Sequence, residues 1–281
     1  MTLVSDARHM LTIAALAACA MPFGARTAHA ADASAWSDDL RSSVRVIAGS
    51  HSGSEQRLRA GIEVKLQPGW KTYWRYPGDS GVPPRFDFSG SDNVLRAKVL
   101  YPAPHLFTDE TGNSIGYKTN VIFPVQVTPK QPGKPVTLKL KFDYAVCEKL
   151  CIPAEGKAEL NFGSGASASD AALAEAEAKV PKPVTAAEAG LSARRVTNAA
   201  KPLVDVDLPA SGKATALFVE GPSAEWALPI PMAAQGAPAG RLHFGFELDG
   251  LPPGVDPKSP FELTFTVVEG DGAIEVKTHL D

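Results

Sequence analysis

Three cysteines occur in 281 residues. Two of them, Cys147 and Cys151, stand four apart in Tyr144-Ala145-Val146-Cys147-Glu148-Lys149-Leu150-Cys151-Ile152-Pro153. Two thiols at that spacing have three chemical uses: a dithiol/disulfide couple that exchanges with other proteins, a structural cross-link, or soft ligands for a metal such as Cu(I). Closing so small a loop constrains the unfolded chain by only about 2 kcal/mol, against about 4.7 kcal/mol for a hundred-residue loop. A cross-link here stabilises little, which favours exchange. A metal site lacks a matching third ligand, because His51, His105, His243 and His279 are scattered singly and Met232 is the one methionine beyond the leader.

The elements that must present the pair are strands. Val136, Leu138, Leu140, Phe142, Tyr144 and Val146 alternate with Thr137, Lys139, Lys141 and Asp143, the period-two pattern of a half-buried strand. Continuing that period puts Cys147 on the polar face. After the break, Ala158, Leu160 and Phe162 alternate with Lys157, Glu159 and Asn161, which puts Cys151 on the polar face too, so both sulfurs are expected to look outward. With Glu148-Lys149-Leu150 as a three-residue hairpin loop, the cysteines become the closing cross-strand pair, with Cα atoms about 4.5–5.5 Å apart. That lies within the range of about 4.4–6.8 Å that a disulfide needs. Pro153 and the alternating flank argue against a helix. A hairpin gives the thiols no helix dipole; nearby, Lys149 favours the thiolate and Glu148 opposes it.

Cys147-Glu148-Lys149-Leu150-Cys151-Ile152-Pro153 follows Phe142-Asp143-Tyr144. Upstream lie Gly69-Trp70-Lys71-Thr72-Tyr73-Trp74 and Pro77-Gly78-Asp79-Ser80-Gly81. Together these resemble the N-terminal periplasmic domain of the DsbD/ScsB thiol:disulfide interchange proteins, over most of residues 36–163. The resemblance implies an immunoglobulin-like domain whose surface cysteine pair takes electrons from a membrane-embedded thiol reductase and passes them to oxidised, thioredoxin-like periplasmic proteins. It implies that Cys151 engages the partner and Cys147 resolves the mixed disulfide. A loop capping the pair is implied within His105–Tyr117, with Asp109, Glu110, Ile115 and Tyr117 as its members. Full-length relatives carry their own membrane relay; here it would be a separate chain. Alternatives are a Cu(I)-binding or copper-tolerance module, and a non-enzymatic sandwich adaptor or carbohydrate binder using Trp70, Trp74 and Tyr76 with a structural disulfide.

Arg8, an apolar run from Met10 to Phe23 and the small-x-small site Ala28-His29-Ala30 read as a secretory signal peptide over residues 1–30. The run is too short for a bilayer span of about 20 residues, and no later segment reaches that length. Leu16-Ala17-Ala18-Cys19 offers a lipoprotein alternative, with an anchor at Cys19. Either route leads to an oxidising space. The formal charge of −3 provides no basic field for nucleic acid.

Elsewhere, strands are expected around Val44–Ile47, Leu58–Leu66, 94–102 and 120–128. The aromatic stretch of residues 70–90 reads as a core corner followed by a Pro/Gly loop. Gly163 to Ser169 has linker composition, and Asp170 is placed to cap a short helix through Lys179. Residues 191–281 bear further strands at 203–208, 215–219, 242–248 and 261–268, then a Glu269-Gly270-Asp271-Gly272 hairpin turn. The expectation is an all-β chain of two tandem β-sandwich domains: 31–163 with the cysteines, a partly helical linker at 164–190, and 191–281. No phosphate loop, dinucleotide fingerprint or H-E-x-x-H motif occurs, so no cofactor is expected. Gly78-Asp79-Ser80-Gly81 matches a serine-protease tetrapeptide by chance.

Overall fold

Alternating apolar residues set the strands of residues 37–161. The computed structural model describes residues 32–51, 56–79, 81–109, 112–196 and 201–281; the expected signal peptide, Cys19, Ser80 and Glu110 lie outside them. The strands are β1 (Ser37–Asp38), β2 (Ser42–Ala48), β3 (Leu58–Leu66), β4 (Lys71–Gly78), β5 (Arg85–Asp87) and β6 (Val94–Val99). They continue with β7 (His105–Asp109), β8 (Gly112–Lys118), β9 (Asn120–Pro129), β10 (Thr137–Cys147) and β11 (Cys151–Asn161). One sheet runs β1-β2-β3-β9-β6, and the other β11-β10-β4-β8-β7 with β5 alongside β10. All their pairings are antiparallel.

The inner faces meet as in a β-sandwich. Val44, Val46, Ile62, Phe123 and Val125 face Trp74, Leu138, Phe142 and Val146 in a single apolar core. Phe142 stacks on Phe86 at 4.5 Å and on Tyr144 at 4.3 Å between ring centroids. The Tyr144 hydroxyl, which reaches the core edge, meets Ser42 Oγ at 2.7 Å, so its polar end is not left unpaired.

Two stretches, the core corner with the start of its Pro/Gly loop and the cap loop expected within His105–Tyr117, are strands. Residues 71–78 form β4, central in its sheet, and residues 105–118 form the hairpin β7–β8. Hydrophobic alternation is muted in β4 because both of its faces are covered at the start: the four residues from Lys71 to Trp74 are all buried, leaving no solvent side to demand polar residues.

The segment after β11 is fastened to the sheets. Ser167 Oγ donates to the Ala48 carbonyl at 2.7 Å, and His51 and Gly165 exchange backbone bonds. Helix α1 (Asp170–Ala178) has Ser169, not Asp170, at its N-cap. The Asp170 carboxylate instead accepts from the Ser50 amide at 3.0 Å and pairs with Arg59 at 3.2 Å. Arg59 also clasps Glu177 through two nitrogens at 2.9 and 2.8 Å. Leu173 is fully buried over Gly61, where a Cβ would stand 2.7 Å from Leu173 Cδ2; glycine is required there by close packing.

Beyond α1 come β12 (Lys182–Val184), α2 (Ala186–Ala189), β13 (Ser192–Arg195), β14 (Leu203–Pro209), β15 (Thr215–Glu220), β16 (Met232–Ala233), β17 (Arg241–Glu247), β18 (Phe261–Glu269) and β19 (Gly272–Leu280). They make two sheets, β12-β19-β18-β15 and β13-β14-β17-β16, around a second core that includes Val204, Val206, Leu217, Phe244, Phe265 and Val276. The opposite face of the β15 sheet lies on the first half. Phe218 packs on Trp74 at 5.8 Å, and both Phe218 and Ile230 belong to the first core. Arg75 reaches Glu220 at 2.7 Å and Glu275 at 2.6 Å, and the Tyr76 hydroxyl donates to the Leu228 carbonyl. Among the described residues no helix is long and apolar enough to cross a membrane.

Candidate functional site

The cysteines close the β10–β11 hairpin as expected: Cys147 is the register partner of Cys151, last in an unbroken ladder that starts at Thr137 and Asn161. They are disulfide-bonded, with Cα atoms 4.2 Å apart, slightly closer than two flat strands would set them. Leu150, at the hairpin tip, is 78% exposed.

The expectation that both sulfurs face solvent is half correct. Cys151 is exposed, whereas Cys147 is 5% exposed. The period of β10 does carry Cys147 away from the core, but the sheet's outer face is covered at that point. Cys147, Ala145 and Tyr73 form a small buried cluster there. Tyr73 comes from β4, paired with β10 through Cys147↔Lys71 and Val146↔Thr72. The chain after β4 folds back over the ring, since a Cβ on Gly81 would come 2.7 Å from Tyr73 Cδ1 and 2.3 Å from Pro77 Cβ. The expected Pro/Gly loop therefore shields the tyrosine, and through it one sulfur.

Tyr73 turns its hydroxyl to Cys151 Sγ at 3.0 Å. A disulfide sulfur has no hydrogen, so the phenol donates. Burial raises the Tyr73 pKa, with a further push from the Asp109 carboxylate, so the hydroxyl keeps its proton at neutral pH. Next to it on the same face is Lys71, 6% exposed. Its ammonium donates to Asp109 Oδ2 at 2.8 Å and Ser114 Oγ at 2.9 Å and lies 5.8 Å from the centre of the Phe107 ring.

The four cap-loop candidates separate. Asp109 ends β7 and joins the site through Lys71. Ile115 and Tyr117 lie in β8 and point into the core, at 0% and 5% exposure; the Tyr117 hydroxyl donates to the Pro102 carbonyl at 2.8 Å. Glu110 is outside the described residues. Sequence reasoning missed Lys71 and Tyr73 as site residues. Their separation by two was a signal for one face of a strand, usable only once β4 was known to pair with β10. Chemically, the arrangement holds one accessible sulfur, one sheltered sulfur, a neutral hydroxyl donor and a buried cation.

Residues 43–163 match the family profile described as thiol:disulfide interchange protein DsbD, N-terminal. Among solved structures, the N-terminal periplasmic domain of ScsB from Proteus mirabilis superposes with a TM-score of 0.71 at 21% identity, over 89% of this chain and 98% of that one. The conserved domain protein from Bacillus anthracis gives a TM-score of 0.23 at 8% identity over 87% of this chain and 88% of that one, too low to compare folds. No curated protein matches the chain. The match with ScsB shows a shared fold reaching through both halves, and the profile covers the β10–β11 hairpin with both cysteines: residues 43–163 are similar in sequence to the N-terminal domain of the DsbD thiol:disulfide interchange proteins.

Proposed function

We propose that the protein is a periplasmic electron relay working by thiol–disulfide exchange at Cys147 and Cys151. It accepts electrons from a membrane-embedded thiol reductase and hands them to oxidised, thioredoxin-like proteins, acting as a protein-disulfide reductase. The observation that carries this reading is the unequal shelter of the two bonded sulfurs, Cys151 exposed at a hairpin end and Cys147 buried behind it. Exchange requires a thiolate to reach one sulfur while the other leaves. An incoming donor reaches Cys151, forms the mixed disulfide there, and Cys147 remains close enough to resolve it in the reverse reaction. A pure staple has no need to expose half of its bond. The family match supports the same chemistry.

In this reading residues 31–163 are the redox domain, of immunoglobulin-like type, and residues 191–281 a second β-sandwich that braces it. Asp109 borders the pair as part of a cap made by the β7–β8 hairpin together with the Gly81 segment.

The test is a mass-shift assay. Incubation with a reduced thioredoxin-like donor, followed by alkylation, is expected to add two labels at Cys147 and Cys151. A pair that stays unlabelled under donors that reduce ordinary protein disulfides would end the relay reading.

A further inference from the structure

Lysine rarely surrenders its ammonium to the interior, because desolvating the charge is costly unless a partner compensates. Lys71 is nevertheless 6% exposed, and it is the residue directly opposite Cys147 across the β4–β10 ladder. Opposed residues of an antiparallel pair have Cβ atoms about 4.5–5.5 Å apart and project from the same face. The Lys71 and Cys147 side chains therefore leave the sheet side by side on one face. Asp109 and Ser114 hold the ammonium from the far side, at 2.8 and 2.9 Å, and the Phe107 ring flanks it.

Resting on the exchange proposed above, we infer that Lys71 is a positioning residue that takes up the negative charge appearing on Cys147 when Cys151 is attacked. In that step the donor thiolate sulfur bonds to Cys151 Sγ as the Cys147–Cys151 bond breaks, and the electron pair of that bond stays on Cys147 Sγ. The donor's second thiolate then bonds to its first sulfur and Cys151 leaves as a thiolate. The donor dithiol has become a disulfide, and two protons taken up from solvent complete a two-electron reduction of the pair. Water has little access to a Cys147 thiolate at 5% exposure, so its stabilisation falls to the protein. A thiol of lowered pKa leaves faster, and an adjacent cation lowers it. The site thus assigns distinct roles to the sulfurs: exposure makes Cys151 the one attacked, and Lys71 makes Cys147 the better leaving group. Asp109 tempers the effect by sharing the ammonium.

The experiment follows iodoacetamide labelling of Cys147 against pH in the Cys151→Ser protein, read by peptide mass so that Cys19 does not contribute. Lys71→Met keeps the apolar stem and is expected to raise the labelling midpoint by about one pH unit, a tenfold loss of thiolate below it. Lys71→Arg restores the midpoint, while Asp109→Asn, which removes the competing carboxylate, moves it down. Opposite directions for Lys71→Met and Asp109→Asn are the signature of charge, since loosened packing changes the plateau rate and moves both variants alike. A midpoint that stays put in both, or moves the same way in both, overturns the inference. Should Lys71→Met fail to fold, an unmoved midpoint in Asp109→Asn overturns it by itself. The measurement needs no redox partner, so failure of the relay reading would show separately, as an intact pair that no dithiol donor reduces.

Discussion

Tyr73 and the two cysteines make one contact group in which each member has a separable effect. The phenol donates to Cys151 Sγ at 3.0 Å, and a donor is worth more to a thiolate than to a disulfide sulfur. Tyr73→Phe is therefore expected to make the pair harder to reduce. The shift should be about 10–30 mV toward negative potential, taking about 0.5–1.5 kcal/mol for the lost bond, measured against a glutathione redox series. The cysteine variants should also differ. Cys147→Ser, which leaves the exposed sulfur, is expected to trap a mixed disulfide with a thioredoxin-like partner on a non-reducing gel, whereas Cys151→Ser traps little. Equal trapping would contradict the roles given to the two sulfurs. From residue types alone, the pair, its spacing and its pairing were legible. The shelter of Cys147 was not, because period two tells which face a residue takes and is silent on what covers that face; here the cover is the ring of Tyr73, from a strand far earlier in the chain.

Among the elements, α1 shows how a segment of linker composition acquires a fixed place. Its small residues and exposed charges give it little intrinsic reason to dock, yet Leu173 is fully buried and Arg59 binds Asp170 and Glu177. Leu173→Ala is expected to cost about 2–5 kcal/mol locally, the usual range for a buried leucine. Amide exchange in residues 170–178 should rise, while the β10–β11 ladder stays protected. The hydrogen bonds from Ser50 hold the Asp170 carboxyl below its ordinary pKa. A depressed carboxyl contributes stability above the unfolded value and loses it as pH falls through the folded one. Docking of α1 should therefore weaken below about pH 4, seen as faster cleavage near residue 170 by an acid-active protease. The regular alternation of β2, β3, β9, β10, β14, β15, β17 and β18 made them legible. Strands β4 and β8 were hidden because covered faces mix Lys71, Ser114 and Gly116 with buried rings, and a pattern read for water on one side finds no such side.

For the molecule as a whole, the seam between the halves is a mixed one: Trp74 on Phe218, Arg75 between Glu220 and Glu275, and the Tyr76 hydroxyl on the Leu228 carbonyl. Arg75→Met leaves two carboxylates facing each other without their cation. It is expected to destabilise by about 3 kcal/mol, measured by urea unfolding, with a broader or split transition if the halves part first. Burial pushes the Tyr76 pKa up to about 12, helped by Asp79 and Glu220. A raised folded value means stability that is complete below the unfolded pKa of about 10 and is lost as pH climbs toward the folded one. The melting temperature should drop between about pH 10 and pH 12, and less steeply in Tyr76→Phe. The change in composition after Phe162 was readable in the sequence. The seam was not, since Phe218 and Glu275 lie on strands whose other faces already satisfy a core of their own.

The eight residues of β4 serve both neighbourhoods, with Lys71 and Tyr73 beside the sulfurs and Trp74, Arg75 and Tyr76 in the seam. A recombinant fragment cut at residue 163 would keep every thiol-bearing position yet strip the neighbours from an indole and a guanidinium a residue or two away. Anyone seeking a minimal redox fragment from this chain should expect it to be sticky, because Phe218 and Ile230 would no longer complete the core that holds Trp74.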